Sequence, residues 1–122
     1  MENKNNPRRP RAIRLQKGFA KIVCLCGSTR FMDAFREANL RETLAGNVIL
    51  TVGCDTKSDE QLSINAKTKE RLDHLHKQKI SLADEIFVLN VGGYIGNSTR
   101  SEIEFAKRQG KAIRYLEEPQ AL

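Results

Sequence analysis

IFVLNVGGYIGNSTRSEIEFAKRQG, residues 86–110, combines a strand, a glycine-rich loop and a helix in one unit. Residues 86–91 form a largely apolar, β-branched run that ends at turn signals, which predicts a buried strand. Gly92, Gly93 and Gly96 predict a loop with positive φ angles that can approach a ligand closely. Because open α/β sheets bind ligands at the carboxyl ends of their strands, this unit predicts a ligand-binding loop.

The helix after this loop carries the candidate catalytic residue. Ser98 and Thr99 are favoured N-cap residues, so we expect the helix to begin there with Glu102 in its first turn. The free N–H groups of a first turn attract anions such as phosphate. Glu102 then has two interpretations, a nucleophile at the anomeric carbon of a sugar or the last residue of a Thr99-x-x-Glu102 capping box. The pattern alone favours the capping box.

Strands and helices alternate along the rest of the chain. Apolar runs at residues 21–26, 48–52 and 111–116 predict three further strands. Helical spacing of apolar residues predicts helices over residues 30–44 and 66–82. The order β-α-β-α-β-α-β with right-handed crossovers predicts an α/β three-layer sandwich, Rossmann- or flavodoxin-like, around a parallel four-stranded sheet in the order 2-1-3-4.

This sheet order brings two distant loops together. The switch point lies between strands 1 and 3, so the turn at residues 27–30 and the loop at residues 92–99 should face one crevice. Their amides, hydroxyls and arginine suit a phosphate or polyhydroxy ligand. The polar residues 53–65 predict a mobile loop over the site. Besides Glu102, the candidate substrate-binding residues are Gly27, Ser28, Thr29, Arg30, Tyr94, Asn97 and Ser98.

The spacing of the glycines in the loop at residues 92–99 points away from phosphoryl transfer. GGYIGNS lacks the GK[ST] ending of the Walker A loop, and the glycine spacing does not match the dinucleotide fingerprint. We therefore expect no nucleotide cofactor of those classes. No apolar run reaches the roughly 18 residues of a membrane span.

The charge of the chain is concentrated at its N-terminus. The net charge is +6, and residues 1–17 contain six Lys and Arg residues against one Glu. We expect residues 1–19 to form a basic tail without fixed structure and residues 20–122 to form a single domain. The tail is interpreted as a solvated arm in preference to a nucleic-acid-binding arm, because no aromatic residues interleave with its charges.

The cysteines and histidines predict no metal site. Cys24, Cys26 and Cys54 form neither an even disulfide set nor a CxxC pair. We expect Cys24 and Cys26 to be buried thiols that point to opposite faces of their strand, which fits a reducing, cytoplasmic setting. His74 and His76 are two positions apart and do not share a helix face, so both are interpreted as ordinary helix residues.

Three motifs in a fixed order carry a family resemblance. They are CGSTR after the first strand, ADEIFVLNV around the central strand, and the S/T-x-x-E-I-x-F-A helix followed by G-K. Together they resemble the nucleoside 2-deoxyribosyltransferase-like superfamily, which includes the deoxynucleoside 5′-monophosphate N-glycosidases. The resemblance spans residues 21–116.

The resemblance implies an activity and a role for each motif. It implies cleavage or transfer at the N-glycosidic bond of a nucleoside or its 5′-monophosphate, with Glu102 as the nucleophile. Contact with the nucleoside would come from Gly27, Ser28 and Arg30, while Asn97 and Ser98 would lie near the 5′ end. It also implies a homodimer and no cofactor. A non-catalytic nucleotide-binding or sensor domain, and a nucleic-acid-associated accessory protein that uses its tail, remain alternatives.

Overall fold

A parallel sheet runs through the middle of this protein, with helices on both faces. The computed structural model describes residues 18–53, 57–58 and 60–119. Residues 1–17 of the predicted tail lie outside this part of the chain, as does Cys54. The elements in chain order are β1 (Ile22–Cys26), α1 (Met32–Leu44), β2 (Val48–Leu50), α2 (Ala66–Leu82), β3 (Glu85–Val88), a 3₁₀ turn (Val91–Gly93), α3 (Asn97–Arg108) and β4 (Ala112–Tyr115).

The sheet has the predicted strand order. β1 pairs in parallel with β2 on one side and with β3 on the other, and β3 pairs in parallel with β4. The resulting order β2-β1-β3-β4 confirms the predicted 2-1-3-4 sheet. β1 and β3 run side by side to the same edge, where Cys26 lies opposite Val88. The loops that follow these two central strands are therefore neighbours.

Different helices cover the two faces of the sheet. On one face Val23, Leu25 and Phe87 pack against Phe35 and Ala38 of α1. The opposite face packs against α2 and α3, through Ile22, Cys24, Cys26, Ile86, Val88, Ile80, Ile103 and Ala106. All five residues of β1 are buried, as a continuous apolar strand covered on both faces requires. These packed layers confirm the predicted three-layer α/β architecture.

α2 has well-defined ends. It spans Ala66–Leu82, which is the predicted range. The Asn65 side chain caps its start by accepting a hydrogen bond from the Thr68 amide at 2.8 Å. Just past its end, buried Asp84 accepts a hydrogen bond from the Ile22 amide at 2.8 Å. Within the described part of the chain no helix is both long and apolar enough to cross a membrane.

Two polar contacts outside the pocket hold the framework around β4. Arg114 of β4 reaches across the α1 face of the sheet, donating to Glu42 at 2.6 Å and to Glu85 at 3.0 Å. Beyond the carboxyl end of β4, buried Asn90 exchanges two hydrogen bonds of 2.9 Å with the backbone of Glu117. The second contact fixes the start of the loop that follows β3.

Candidate functional site

A pocket of about 880 Å³ lies at the carboxyl ends of β1 and β3. This volume is within the range of small-molecule sites, roughly 300–1,000 Å³. The structure brings every predicted site residue to its wall, although they come from distant parts of the chain. Those residues are Gly27, Ser28, Thr29, Arg30, Tyr94, Asn97, Ser98 and Glu102. Ser58, Leu62 and Ile64 also line the pocket, so the described part of the predicted loop lies beside the site.

The turn after β1 packs tightly against the segment after β3. Gly27 has a φ of +157°, and a Cβ atom there would lie 3.2 Å from the backbone oxygen of Leu89. That separation is closer than ordinary side-chain contacts, so glycine lets the two segments approach. The Arg30 amide then donates to the Ser28 hydroxyl at 3.3 Å. This contact shapes the turn that presents the serine and the arginine to the pocket.

Arg30 and Tyr94 form one wall of the pocket together. The guanidinium carbon of Arg30 lies 4.5 Å from the centre of the Tyr94 ring, a cation–π contact. Phe31 meets the same ring edge-on, at 6.1 Å between ring centres. Gly92 and Gly93 have the predicted positive φ angles, but Gly96 has a φ of −80°. Gly96 instead provides room, because a Cβ atom there would lie 3.0 Å from the Tyr94 hydroxyl.

The predicted start of the helix that carries Glu102 is wrong by two residues. α3 begins at Asn97 with Gly96 as its N-cap, so Ser98 and Thr99 lie inside the helix and Glu102 falls in its second turn. Thr99 is buried, and no described side chain caps this end. The capping-box interpretation of Glu102 is therefore wrong. Gly96, Asn97 and Ser98 at the start of α3 line the pocket, and the free N–H groups of a first helical turn favour an anion.

Glu102 is buried at the base of the pocket. Its side chain is only 9% exposed, and Oε1 has no hydrogen-bond partner among the described residues. His76 Nε2 lies 3.9 Å from this oxygen. Burial raises the pKa of Glu102, whereas the charge of His76 opposes the increase. Buried carboxylate oxygens are normally hydrogen-bonded, so an unpaired one in a pocket indicates a functional group.

α2 contributes two charged residues that the sequence interpretation missed. Lys69 Nζ donates to the Ser98 hydroxyl and to the Asp73 carboxylate, each at 3.1 Å. Lys69 and Asp73 both line the pocket. The four-residue spacing of Lys69 and Asp73 was visible in the sequence as a helical ion pair. The contact with Ser98 required knowledge that α2 and α3 pack side by side.

Cys24, Cys26 and His76 meet beside Glu102, which the sequence interpretation did not expect. Both thiol sulfurs lie 3.6 Å from His76 Nε2. The prediction that the cysteines point to opposite faces is wrong, because side chains two positions apart on a strand share a face. Both thiols are free and buried, as predicted. His74 is exposed, so the two histidines do occupy different helix faces.

The cluster shifts the pKa of each of its members. The hydrogen bond from Cys26 and the neighbouring His76 lower the pKa of Cys24 to about 6. The same bond, together with burial, raises the pKa of Cys26 well above its ordinary value. Burial lowers the pKa of His76, but the contact with Cys24 outweighs it and the net shift is upward. Near neutral pH, a pKa of about 6 favours the thiolate form of Cys24.

The fold and pocket define a small parallel α/β protein with a pocket at the switch point of its sheet. Comparison of the chain with models of known protein families finds no match, and comparison with curated proteins finds none either. The superfamily resemblance therefore rests on the quoted motifs and remains a prediction.

Proposed function

We propose that this protein cleaves the N-glycosidic bond of a deoxynucleoside 5′-monophosphate, with Glu102 as the nucleophile. The observation that carries the proposal is the buried Oε1 of Glu102, which has no hydrogen-bond partner among the described residues and lies at the base of a nucleotide-sized pocket. The protein expends free energy to hold a carboxylate there, since a buried polar group without a partner is costly. In the proposed reaction this oxygen attacks a sugar carbon of the bound substrate.

The phosphate end of the ligand binds at the start of α3. Helix N-termini attract phosphate through their free N–H groups. Ser98 lies there, and Lys69 holds its hydroxyl at 3.1 Å, which adds a cation to the same place. The turn that contains Ser28 and Arg30 contacts the nucleoside from the opposite wall. This distribution of charge favours a nucleoside 5′-monophosphate over a nucleoside.

The reaction proceeds in two displacements at C1′. Glu102 Oε1 attacks C1′, and the C1′–N bond breaks with its electron pair passing to the base, which takes up a proton. Asp73 is a second carboxylate on the pocket wall, ion-paired with Lys69 at 3.1 Å. Water then attacks C1′, releases the Glu102 carboxylate and gives the sugar 5-phosphate with retained configuration. A second base in place of water gives transfer.

The test is the release of free base by the purified full-length protein. A panel of deoxynucleosides and their 5′-monophosphates is incubated with the protein, and free base is measured by chromatography. We expect base release, faster from the 5′-monophosphates. Tight nucleotide binding without any release of base would refute catalysis and support a non-catalytic sensor. DNA binding with a steep salt dependence would point to the basic tail instead.

We also propose that the protein acts as a cytoplasmic homodimer. Leu72 and Leu75 of α2 line the pocket and are 39% and 46% exposed. A second copy packed against α2 would cover them and narrow the opening of the pocket. Light scattering at micromolar protein should give the mass of a dimer, and a monomer mass would contradict the proposal.

A further inference from the structure

Cys24, Cys26 and His76 present three metal-ligating atoms to one point. The two sulfurs and the imidazole nitrogen all lie within 4.8 Å of one another. The two cysteines sit on one face of β1, and His76 comes from α2, which packs against that face. All three residues are buried. The sheet and the helix, both rigid elements, therefore fix the arrangement.

The spacing fits one tetrahedral ion. Zinc–sulfur and zinc–nitrogen bonds of about 2.3 Å and about 2.05 Å place sulfur and nitrogen about 3.6 Å apart around a tetrahedral centre. Each cysteine sulfur lies 3.6 Å from His76 Nε2. Both sulfur–nitrogen separations therefore already match the value that a bound zinc ion requires, and the two sulfurs lie within 4.8 Å of each other.

Glu102 supplies a fourth oxygen at the same place. Its Oε1 lies 3.9 Å from His76 Nε2, compared with about 3.3 Å for nitrogen and oxygen ligands of one zinc ion. This oxygen is buried and lacks a hydrogen-bond partner within the described ranges. His76 and Glu102 also line the pocket, so an ion can enter from there. The pocket offers an entry path and the four residues supply four ligand atoms, while the Oε1–Nε2 separation must shorten by about 0.6 Å to complete the site.

We propose that Cys24, Cys26, His76 and Glu102 form a binding site for a thiophilic divalent cation of the zinc type. Two sulfur ligands select such a cation over Mg²⁺ or Ca²⁺, which prefer oxygen ligands. Bound metal occupies Glu102 Oε1 and keeps it from a sugar carbon. Zinc therefore inhibits the enzyme by binding its nucleophile. This inhibition rests on the proposed function, whereas the metal site itself is independent of it.

Direct metal binding tests the site without any nucleotide. Full-length protein is treated with a chelator, kept reduced with a phosphine, and titrated with Co²⁺ or Zn²⁺ alone. We expect one ion per chain. Co²⁺ should give the intense visible bands of tetrahedral coordination and a near-ultraviolet thiolate-to-metal band. X-ray absorption of the wild-type zinc form should show two sulfur ligands at about 2.3 Å. Oxygen and nitrogen ligands alone would overturn the proposal.

Matched variants assign the ligands. His76→Gln and Cys26→Ala should each weaken Zn²⁺ binding by more than about 100-fold, because loss of an outer-shell partner alone costs up to that factor. His74→Gln changes an exposed histidine two positions away and should leave the affinity unchanged. Glu102→Gln should weaken binding while the thiolate band persists. Unchanged affinity in His76→Gln or in Glu102→Gln would overturn the four-ligand site. Circular dichroism establishes that each variant is folded.

Discussion

Replacing Glu102 by Gln separates catalysis from stability at the base of the pocket. The substitution removes one negative charge and keeps the size of the side chain. Because burial raises the pKa of Glu102 despite the opposing charge of His76 at 3.9 Å, the folded protein gains little from the carboxylate charge. Since Glu102 caps no helix, no backbone amide loses a partner. We expect the free energy of unfolding to stay within about 1 kcal/mol of wild type, or to rise.

The same substitution should nearly abolish turnover. An amide cannot attack C1′ as an anion, and loss of a nucleophile typically costs a factor of about 10³ or more in kcat. Nucleotide affinity should change little, because the start of α3, Lys69 and the turn at residues 27–30 all remain. Catalysis should therefore fall while binding and stability survive.

Three measurements on two variants test whether Glu102 is the nucleophile. Base release gives turnover, isothermal titration gives nucleotide affinity, and urea unfolding gives stability. Glu104→Gln is the matched control, since Glu104 is an exposed glutamate on the same helix. It should behave as wild type in all three assays. If Glu102→Gln kept more than about a tenth of wild-type turnover, the proposed nucleophile would be wrong.

Three further outcomes are expected. Gly27→Ala should lower the free energy of unfolding by about 1–3 kcal/mol in urea melts, because its Cβ would meet a backbone oxygen at 3.2 Å; unchanged stability would contradict the close packing. The hydrogen bond from Arg114 lowers the pKa of buried Glu42, so this pair stabilises the fold above the ordinary Glu pKa and the contribution is lost as pH falls through the lowered value. Glu42→Gln should lower the free energy of unfolding by about 1–2 kcal/mol near neutral pH, a modest value because Arg114 is partly exposed. The difference in stability between this variant and wild type should shrink in acid. Lys69→Met should weaken binding of nucleoside 5′-monophosphates by about tenfold with little effect on nucleosides, while Lys67→Met, an exposed control, should bind both as wild type does.

The sheet could be predicted because its signals are local. Apolar runs with a glycine on at least one side marked each strand, and helical periodicity marked α2 to the residue. Alternation of strands and helices, together with crossover handedness, then left few possible sheet orders. The observed order β2-β1-β3-β4 was among them. That order alone brought the predicted site residues to one pocket.

The state of Glu102 could not be predicted in the same way. Thr99 and Glu102 match a capping box in sequence, yet Gly96 takes the N-cap position and Thr99 is buried. N-cap preferences amount to about 1 kcal/mol, and burial of Thr99 against its neighbours can offset them. The local pattern therefore singled out a carboxylate that lines the pocket but assigned it the wrong partner.

The chain itself determined the strand order, the edge of the sheet that carries the site, and the identity of the carboxylate there, because these follow from periodicity and connection rules. Only the tertiary structure decided which side chains meet Glu102. His76 is fifty positions from Cys26, and the two touch because α2 packs on the face of β1 that carries both cysteines. Contacts between separate elements depend on packing of the whole core, and no local pattern encodes them.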